Sequence, residues 1–225
     1  MTAIMSDPIA SPSLTSDPMA WFRARQRQMT ILGSVILLVG AGGGFAWWWQ
    51  TNKEAAASNA LEQARTVADG PNGLAQSAGM LQKIIDDYKG TDAGQEAVLT
   101  LAQVRMINGQ NQLAAAALQD LVDHGVRAQF AAPAYGLLAG AEEQTAKPAD
   151  AGQNYLKASQ AAELDPLKAM YLVDAARAFV QAGDQPKALD ALRKVNKEFS
   201  KTPSALEANL RLAELTKGAE PVATH

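Results

Sequence analysis

The chain has 225 residues, and its 20 Lys and Arg against 23 Asp and Glu give a net charge of −3 without the basic patch that a nucleic-acid partner would need. It contains no cysteine, which excludes disulfides, thiolate metal sites, a cysteine nucleophile and the lipid-modified cysteine of a bacterial lipoprotein. Apolar residues make up 48% of the chain, much of it alanine and leucine, and this composition favours helix.

The N-terminal segment, residues 1–28, predicts a mostly disordered tail. Its first 20 residues combine three prolines with several serines and threonines and show no apolar periodicity. The stretch "WFRARQRQ" follows, in which aromatic residues stand beside three arginines: Trp21, Arg23, Arg25 and Arg27.

Residues 29–49 predict a transmembrane helix. No residue from Gln28 to Asn52 is charged, and about 20 helical residues span the roughly 30 Å of a bilayer's hydrocarbon core. The segment ends in Trp47, Trp48 and Trp49, and tryptophan is enriched at membrane interfaces. Trp21 supplies a matching aromatic residue on the other side.

A cleaved signal peptide is the alternative interpretation of this segment. Gly44-Phe45-Ala46 satisfies a small-x-small pattern, so cleavage after Ala46 stays open. The retained anchor is favoured, because a signal peptide has an apolar core of only about 7–15 residues. Cleavage would also leave three tryptophans at a new soluble N-terminus.

The flanking charges predict the orientation. Three arginines precede the apolar segment, whereas Lys53 and Glu54 follow it. The positive-inside rule then places the N-terminus in the cytoplasm. We therefore expect a single-pass inner-membrane protein whose residues 50–218 lie in the periplasm, followed by a disordered tail over 219–225.

The remainder of the chain repeats with a period of 37 residues. Gly109 and Gly183, each in a turn between two apolar helical patterns, lie 74 residues apart, which is twice 37. A third break, "QTAKPAD", falls midway between them, and Pro166 and Pro203 are again 37 apart. An internal period of this size is typical of a helical repeat array.

The array resembles the tetratricopeptide repeat family, which pairs two antiparallel helices in each unit. In the first helix, the resemblance rests on a large residue, then a leucine or alanine, then a small residue. In the second helix, it rests on an alanine, then an aromatic residue or leucine, then a small residue. In the middle unit these are Tyr135, Leu138, Ala139, Ala151, Tyr155 and Ala158. The expected fold class is therefore all-α: a transmembrane helix and a tetratricopeptide-like array, closed by the helix of "PSALEANLRLAELTKG".

Catalytic chemistry is not expected, and neither a cofactor nor a metal site is predicted. His124 and His225 are the only histidines, and His124 is interpreted as a capping or surface residue at a helix end. The paired acids Glu142-Glu143 and Asp86-Asp87 are interpreted as solvated helix faces. The chain is therefore predicted to be a binding protein and not an enzyme.

Positions that recur every 37 residues on the first helices predict a groove for a protein partner. One row is Gln103, Gly140 and Arg177, and the other is Met106, Glu143 and Val180. Stacked helix pairs present such rows on one continuous surface. Ordinary solvent-facing residues are the alternative interpretation of each position by itself.

This order of tail, anchor and repeat domain resembles the YfgM-type ancillary subunit of the SecYEG translocon. The resemblance implies association with translocon subunits and a membrane-anchored periplasmic chaperone, and contact with translocated proteins. A scaffold for envelope assembly or cell division is an alternative, which cleavage after Ala46 would favour. An accessory subunit of another membrane complex is a third.

Overall fold

The computed structural model of the chain describes residues 26–68 and 73–218, and for residues 26–38, 42 and 46 it describes the backbone alone. The predicted disorder of residues 1–20 and 219–225, like Trp21, Arg23 and Arg25, lies outside the described residues. Contacts divide the chain into two compact units, Met1–Thr51 and Asn52–His225.

The described residues form helices and no strand. Their bounds are α1 Gln26–Ala68, α2 Gly73–Asp87, α3 Asp92–Ile107, α4 Asn111–Asp123, α5 Ala128–Gln144, α6 Pro148–Ala161, α7 Asp165–Gln181, α8 Gln185–Glu198 and α9 Ser204–Thr216. Short turns make consecutive helices antiparallel neighbours.

The helices from Asn52 onwards form the predicted array of pairs. The pairs are the last part of α1 with α2, then α3 with α4, α5 with α6, and α7 with α8, and α9 closes the array. The first helices also pack on one another, α3 on α5 and α7 on α9. The all-α repeat fold predicted from the 37-residue period is therefore confirmed.

Small residues let the two helices of each pair approach closely. The predicted alanines are all at most 1% exposed. Those of the first helices are Ala102, Ala139 and Ala176, and those of the second helices are Ala114, Ala151 and Ala188. The buried residues fall into three clusters that share helices, since α3 and α5 each contribute to two of them. The core is therefore continuous through nearest-neighbour contacts.

The turn between the two helices of a unit requires a left-handed residue. Gly109 and Gly183 adopt φ values of +74° and +76°. Ala146, midway between them, takes the same conformation at φ +57°. The middle turn thus keeps its shape without glycine, at a cost of about 1–2 kcal/mol for an L-residue in this region.

Hydrogen bonds fix the start of α3, the first helix that carries the candidate site. Thr91 is fully buried, and its Oγ1 accepts a hydrogen bond from the Gly94 amide at 2.9 Å. The Glu54 carboxylate accepts from the Asp92 and Ala93 amides at 3.0 Å each. These acceptors satisfy amides that have no partner inside the helix.

Within the described residues, no helix combines the length and the apolar character that crossing a membrane requires. Of the predicted span 29–49, the side chains of residues 29–38, 42 and 46 lie outside the described residues, as does the side chain of Arg27. The described tryptophans Trp47, Trp48 and Trp49 are 71%, 55% and 58% exposed.

Candidate functional site

The predicted rows lie on a surface that we call the first-helix face, formed by Gln103, Met106, Gly140, Glu143, Arg177 and Val180. Gln103 is exposed on α3, and Val180 is 44% exposed at the end of α7. The other four residues are half-buried. Met106 of α3 lies beside Gly140 of α5, and Arg177 of α7 contacts Glu143 of α5, so the two rows connect three consecutive first helices. That they form a groove for a partner stays a prediction.

An ion pair across two units is the centre of this face. The Arg177 Nη2 atom donates a hydrogen bond to Glu143 Oε2 at 3.1 Å, so α7 is tied to α5. The same guanidinium nitrogen lies 3.1 Å from Asp174 Oδ1 on its own helix. The Glu143 side chain is only 14% exposed, which strengthens the pair relative to a fully solvated one.

Tyr155 of α6 adds a third group to the pair. Its hydroxyl donates to Glu143 Oε2 at 2.8 Å, and its ring stacks on Tyr171 with centroids 6.5 Å apart. Tyr155 and Arg177 therefore hold the glutamate from two sides. A Cβ on Gly140 would lie in ordinary van der Waals contact with this region, 3.8 Å from the Tyr155 hydroxyl and 3.4 Å from Met106 Cε.

Burial controls the ionisation of this cluster. The pKa of Asp174 is raised, chiefly by burial and further by the charges of Glu143 and Glu207, while Arg177 partly opposes the rise. Burial also raises the pKa of Tyr155 and that of Tyr171, and for Tyr155 the hydrogen bond to Glu143 adds to the effect. Both tyrosines therefore stay neutral hydrogen-bonding groups at physiological pH.

Arg177 keeps one unused donor. Its Nε atom is buried and has no hydrogen-bond partner among the described residues, although its side chain as a whole is 40% exposed. A buried donor without a partner is unfavourable. A second molecule can reach the exposed part of the Arg177 side chain, but not this buried nitrogen. The cluster offers no nucleophile, and its chemistry is that of holding a polar group.

Sequence reasoning missed two members of the cluster. Tyr155 was interpreted only as the large packing residue of α6, and Asp174 was not selected. A usable indication was present for Tyr155, because Leu118 and Leu192 stand at the same position of the neighbouring units. A tyrosine in a column of leucines carries a hydroxyl that needs a partner once it is buried.

The interpretation of Glu142-Glu143 as a solvated pair was wrong. Glu142 is 7% exposed and accepts a hydrogen bond from Asn154 Nδ2 at 2.8 Å. Its pKa is raised, with burial as the largest cause, although the Asn154 hydrogen bond opposes the rise. Asp86 and Asp87 are exposed, as expected. Glu142 is buried because α6 packs on α5 and brings Asn154 against it, whereas Asp86 and Asp87 lie on a part of α2 that is exposed to solvent.

A second concave surface lies between α2 and α4, with α3 as its floor. It encloses a cavity of about 630 Å³ lined in part by Gln82, Ile85, Val98, Arg105, Ala117 and Leu121. Arg105 Nη2 donates to Gln82 Oε1 at 2.9 Å, so its guanidinium is already engaged. This cavity contains none of the residues of the first-helix face.

The described histidine is a helix-end residue, as expected. His124 is exposed, and its Nδ1 lies 2.9 Å from the Asp120 carbonyl oxygen in the last turn of α4. His225 lies outside the described residues. In the part of the chain that the structure describes, no group of three His, Cys, Asp or Glu side chains is placed to hold a metal ion.

Comparison with known proteins identifies the repeat architecture. No curated protein matches the chain. The sequence pattern of the tetratricopeptide repeat-like domain matches residues 20–171. Residues 172–216 lie beyond that match, yet they continue the same helix pairing through α8 and α9. Domains of this kind are protein–protein interaction modules. The pairing of helices and the match over more than half of its length together show that the chain belongs to the tetratricopeptide repeat-like domain family.

Proposed function

We propose that the chain is a membrane-anchored interaction module, without catalytic activity, whose first-helix face binds a protein partner. The observation that carries this proposal is the Arg177–Glu143–Tyr155 cluster. It is held in place across two units, and the Arg177 side chain is still 40% exposed. A preorganised polar group on a rigid helix lowers the ordering cost of binding.

The chemistry of the face indicates what the partner presents. A backbone carbonyl or carboxamide oxygen fits against the exposed part of the Arg177 side chain, while Met106 and the exposed Val180 offer apolar contact on either side. Two carboxylates surround one guanidinium here, so the local charge does not favour an acidic peptide. A segment of polypeptide with polar backbone groups and apolar side chains fits these features.

The proposed anchor is the helix over residues 29–49, with the N-terminus in the cytoplasm and the repeat array in the periplasm. Three arginines precede an uncharged segment that ends in three tryptophans, and the family match begins at residue 20 and so includes this segment. Trp47, Trp48 and Trp49 expose more than half of their surfaces to solvent, which a membrane interface would cover.

Within this proposal, the module is ancillary to the SecYEG translocon and to a membrane-anchored periplasmic chaperone. The anchor would hold the first-helix face near the exit of the translocon and raise its effective concentration for emerging proteins. Translocated polypeptides carry the backbone acceptors and apolar side chains that the face fits. The support is the order of anchor and repeats together with this surface chemistry.

Site-specific photo-crosslinking in intact membranes tests the binding face. A photoreactive residue replaces Gln103 or Val180 on the face, and Gln119 or Asp190 on the second helices serves as the exposed control. We expect translocon or chaperone subunits on the face variants and not on the controls. Equal capture by all four variants would contradict the use of this face. Envelope-assembly proteins on the face would replace the translocon role with that of a scaffold.

Protease protection tests the anchor and its orientation. Moving the arginines of "FRARQR" to the outer flank is expected to invert or scramble the topology, because basic residues set the orientation of a span. The intact mass of the native chain is the control for cleavage. Unchanged protection would overturn the proposed orientation, and a chain beginning at Trp47 would overturn the retained anchor.

A further inference from the structure

The last helix exposes two large apolar side chains on one face. Leu206 and Leu210 of α9 are 69% and 59% exposed, and their spacing of four residues places them one above the other along the helix. The opposite face of α9 is buried in the core through Ala205, Ala208 and Leu212. The helix is therefore apolar on two sides, of which the described residues cover one.

The repeat register shows that this second face is normally covered. Shifting by one period places Leu206 at the position of Ala169 and Leu210 at that of Val173 in α7, which are 0% and 5% exposed. The position of Leu99 in α3 is equivalent to that of Val173 and is 8% exposed. The exposed leucines thus occupy positions that are buried in α3 and α7 and half-buried in α5.

Later elements of the chain provide the cover in the inner units. Leu99 packs in a cluster with Ala114 and Leu118 of α4 and with Ala134 of α5. The structure describes no helix after α9 that could do the same for Leu206 and Leu210. Exposed apolar faces of this kind mark interaction surfaces in folded proteins.

Charged residues beside the leucines indicate what fits there. Glu207 and Arg211 each follow one of the leucines, so both lie on the same edge of the apolar face, and they form a salt bridge at 2.8 Å. In two antiparallel helices related by a two-fold axis, the same edges meet. Each Glu207 would then lie opposite the partner copy's residue 211, which makes this edge complementary to itself.

We propose that α9 is a self-association surface, where two copies of the chain pair their α9 helices antiparallel about a two-fold axis. Leu206 of one copy packs against Leu210 of the other, and Glu207 faces Arg211 of the second copy across the edge of the contact. The pairing covers the face that a further repeat would otherwise cover. Glu207 and Arg211 are close enough to Asp174 for their charges to act on it, so the contact borders the first-helix face. It uses none of the six residues that define that face and does not depend on the function proposed for it.

The dissociation constant of the full-length chain, measured by sedimentation equilibrium, tests the surface. Leu210→Asp is expected to weaken dimerisation by about tenfold or more, because it buries a charge in the centre of the contact. Leu113→Asp on α4 is the matched control, since Leu113 is 55% exposed, and it should leave the constant unchanged. A monomeric wild type, or equal effects of the two variants, would overturn the proposal.

A charge exchange tests the orientation. Glu207→Arg and Arg211→Glu should each weaken the dimer, and the double variant should restore it, because both pairs are then reversed together. Failure of the double variant to recover would contradict the two-fold antiparallel pairing.

Cysteine cross-linking gives a second measurement that does not depend on affinity, since the native chain has no cysteine. Leu206→Cys mixed with Leu210→Cys should form disulfide-linked dimers faster than either variant by itself. Faster linkage of each variant with itself would indicate parallel pairing and overturn the proposal.

Discussion

The grooves between consecutive second helices differ along the array, although one sequence pattern builds them. The first gap lies between α2 and α4 with α3 as its floor, and it holds the cavity of about 630 Å³. The third gap lies between α6 and α8 with α7 as its floor, and it holds Phe179, which is 1% exposed. The two gaps are 74 residues apart and share the same helix order.

Single positions of the repeat explain the difference. Arg105, Glu142 and Phe179 occupy one position in the three successive units. Arg105 extends to Gln82, Glu142 is held by Asn154, and Phe179 packs so closely on α6 that a Cβ on Gly152 would lie 2.6 Å from its ring. The period thus sets where the helices run, and the side chain at this position sets how tightly a gap closes.

Phe179→Ala should give the largest effect, since it would turn the third gap into an open one. Loss of a fully buried aromatic side chain is expected to lower the free energy of unfolding by about 3–5 kcal/mol. Arg105→Ala, at the same position of the first gap, should cost no more than about 1.5 kcal/mol. Urea-induced unfolding of both variants measures this. Equal losses would mean that the gaps are packed alike.

Gly152→Ala tests the close approach of α6 and α7 in the third gap. The added methyl group would overlap the Phe179 ring, and overpacking of this kind is expected to cost about 1–3 kcal/mol. Gly79→Ala on α2 is the control, because nothing lies within 4 Å of its Cβ position. That variant should gain about 0.5–1 kcal/mol from helix propensity. Urea unfolding midpoints that shift in the same direction would contradict the comparison.

Glu142→Gln tests the middle gap through pH. Because burial raises the pKa of Glu142, its ionised form destabilises the folded state at neutral pH. As the pH falls through the raised pKa, the folded state takes up a proton more readily than the unfolded chain, and the penalty disappears. Glutamine keeps an acceptor for Asn154 without the charge.

The stability gain of Glu142→Gln over wild type should therefore be largest at neutral pH and should shrink towards about pH 4, where unfolded glutamates also protonate. Urea unfolding at the two pH values measures it. The exposed Glu163→Gln variant controls for the loss of a surface carboxylate. A gain that is independent of pH would show that burial of the charge is not the cause.

Val98→Leu should have the smallest effect, and in the opposite direction to Phe179→Ala. Val98 lines the open first gap, so one added methylene is expected to stabilise the fold by up to about 0.8 kcal/mol. Ala176→Leu adds volume to a helix contact that is 1% exposed and should instead cost about 1–3 kcal/mol. Destabilisation by both changes in thermal unfolding would show that the first gap has no room.

Much of the array could be predicted because each helix and each turn depends on residues within a short stretch of the sequence. The turns at Gly109 and Gly183, the break at Ala146 and the closing helix all follow from spacing and from residues that favour turns. The rows of the first-helix face followed from the same period. The anchor over residues 29–49 and the role of that face stay predictions.

The partners within the site could not be predicted in the same way. Glu143 meets Tyr155 and Arg177 only because α6 and α7 pack beside α5 at a particular distance, which contacts between helices set. Glu142, next in the chain to Glu143, is buried because α6 brings Asn154 against it. A pattern of residue types along one helix does not state which neighbouring helix covers it.

The sequence by itself determined the helices, their pairing and the order of the units, because turn residues and apolar spacing act over one or two helices at a time. The tertiary structure decided which polar groups are buried, which gap stays open and which face of α9 lacks cover. Those properties depend on side-chain volumes at contacts between units, where a change of a few atoms decides whether two helices touch.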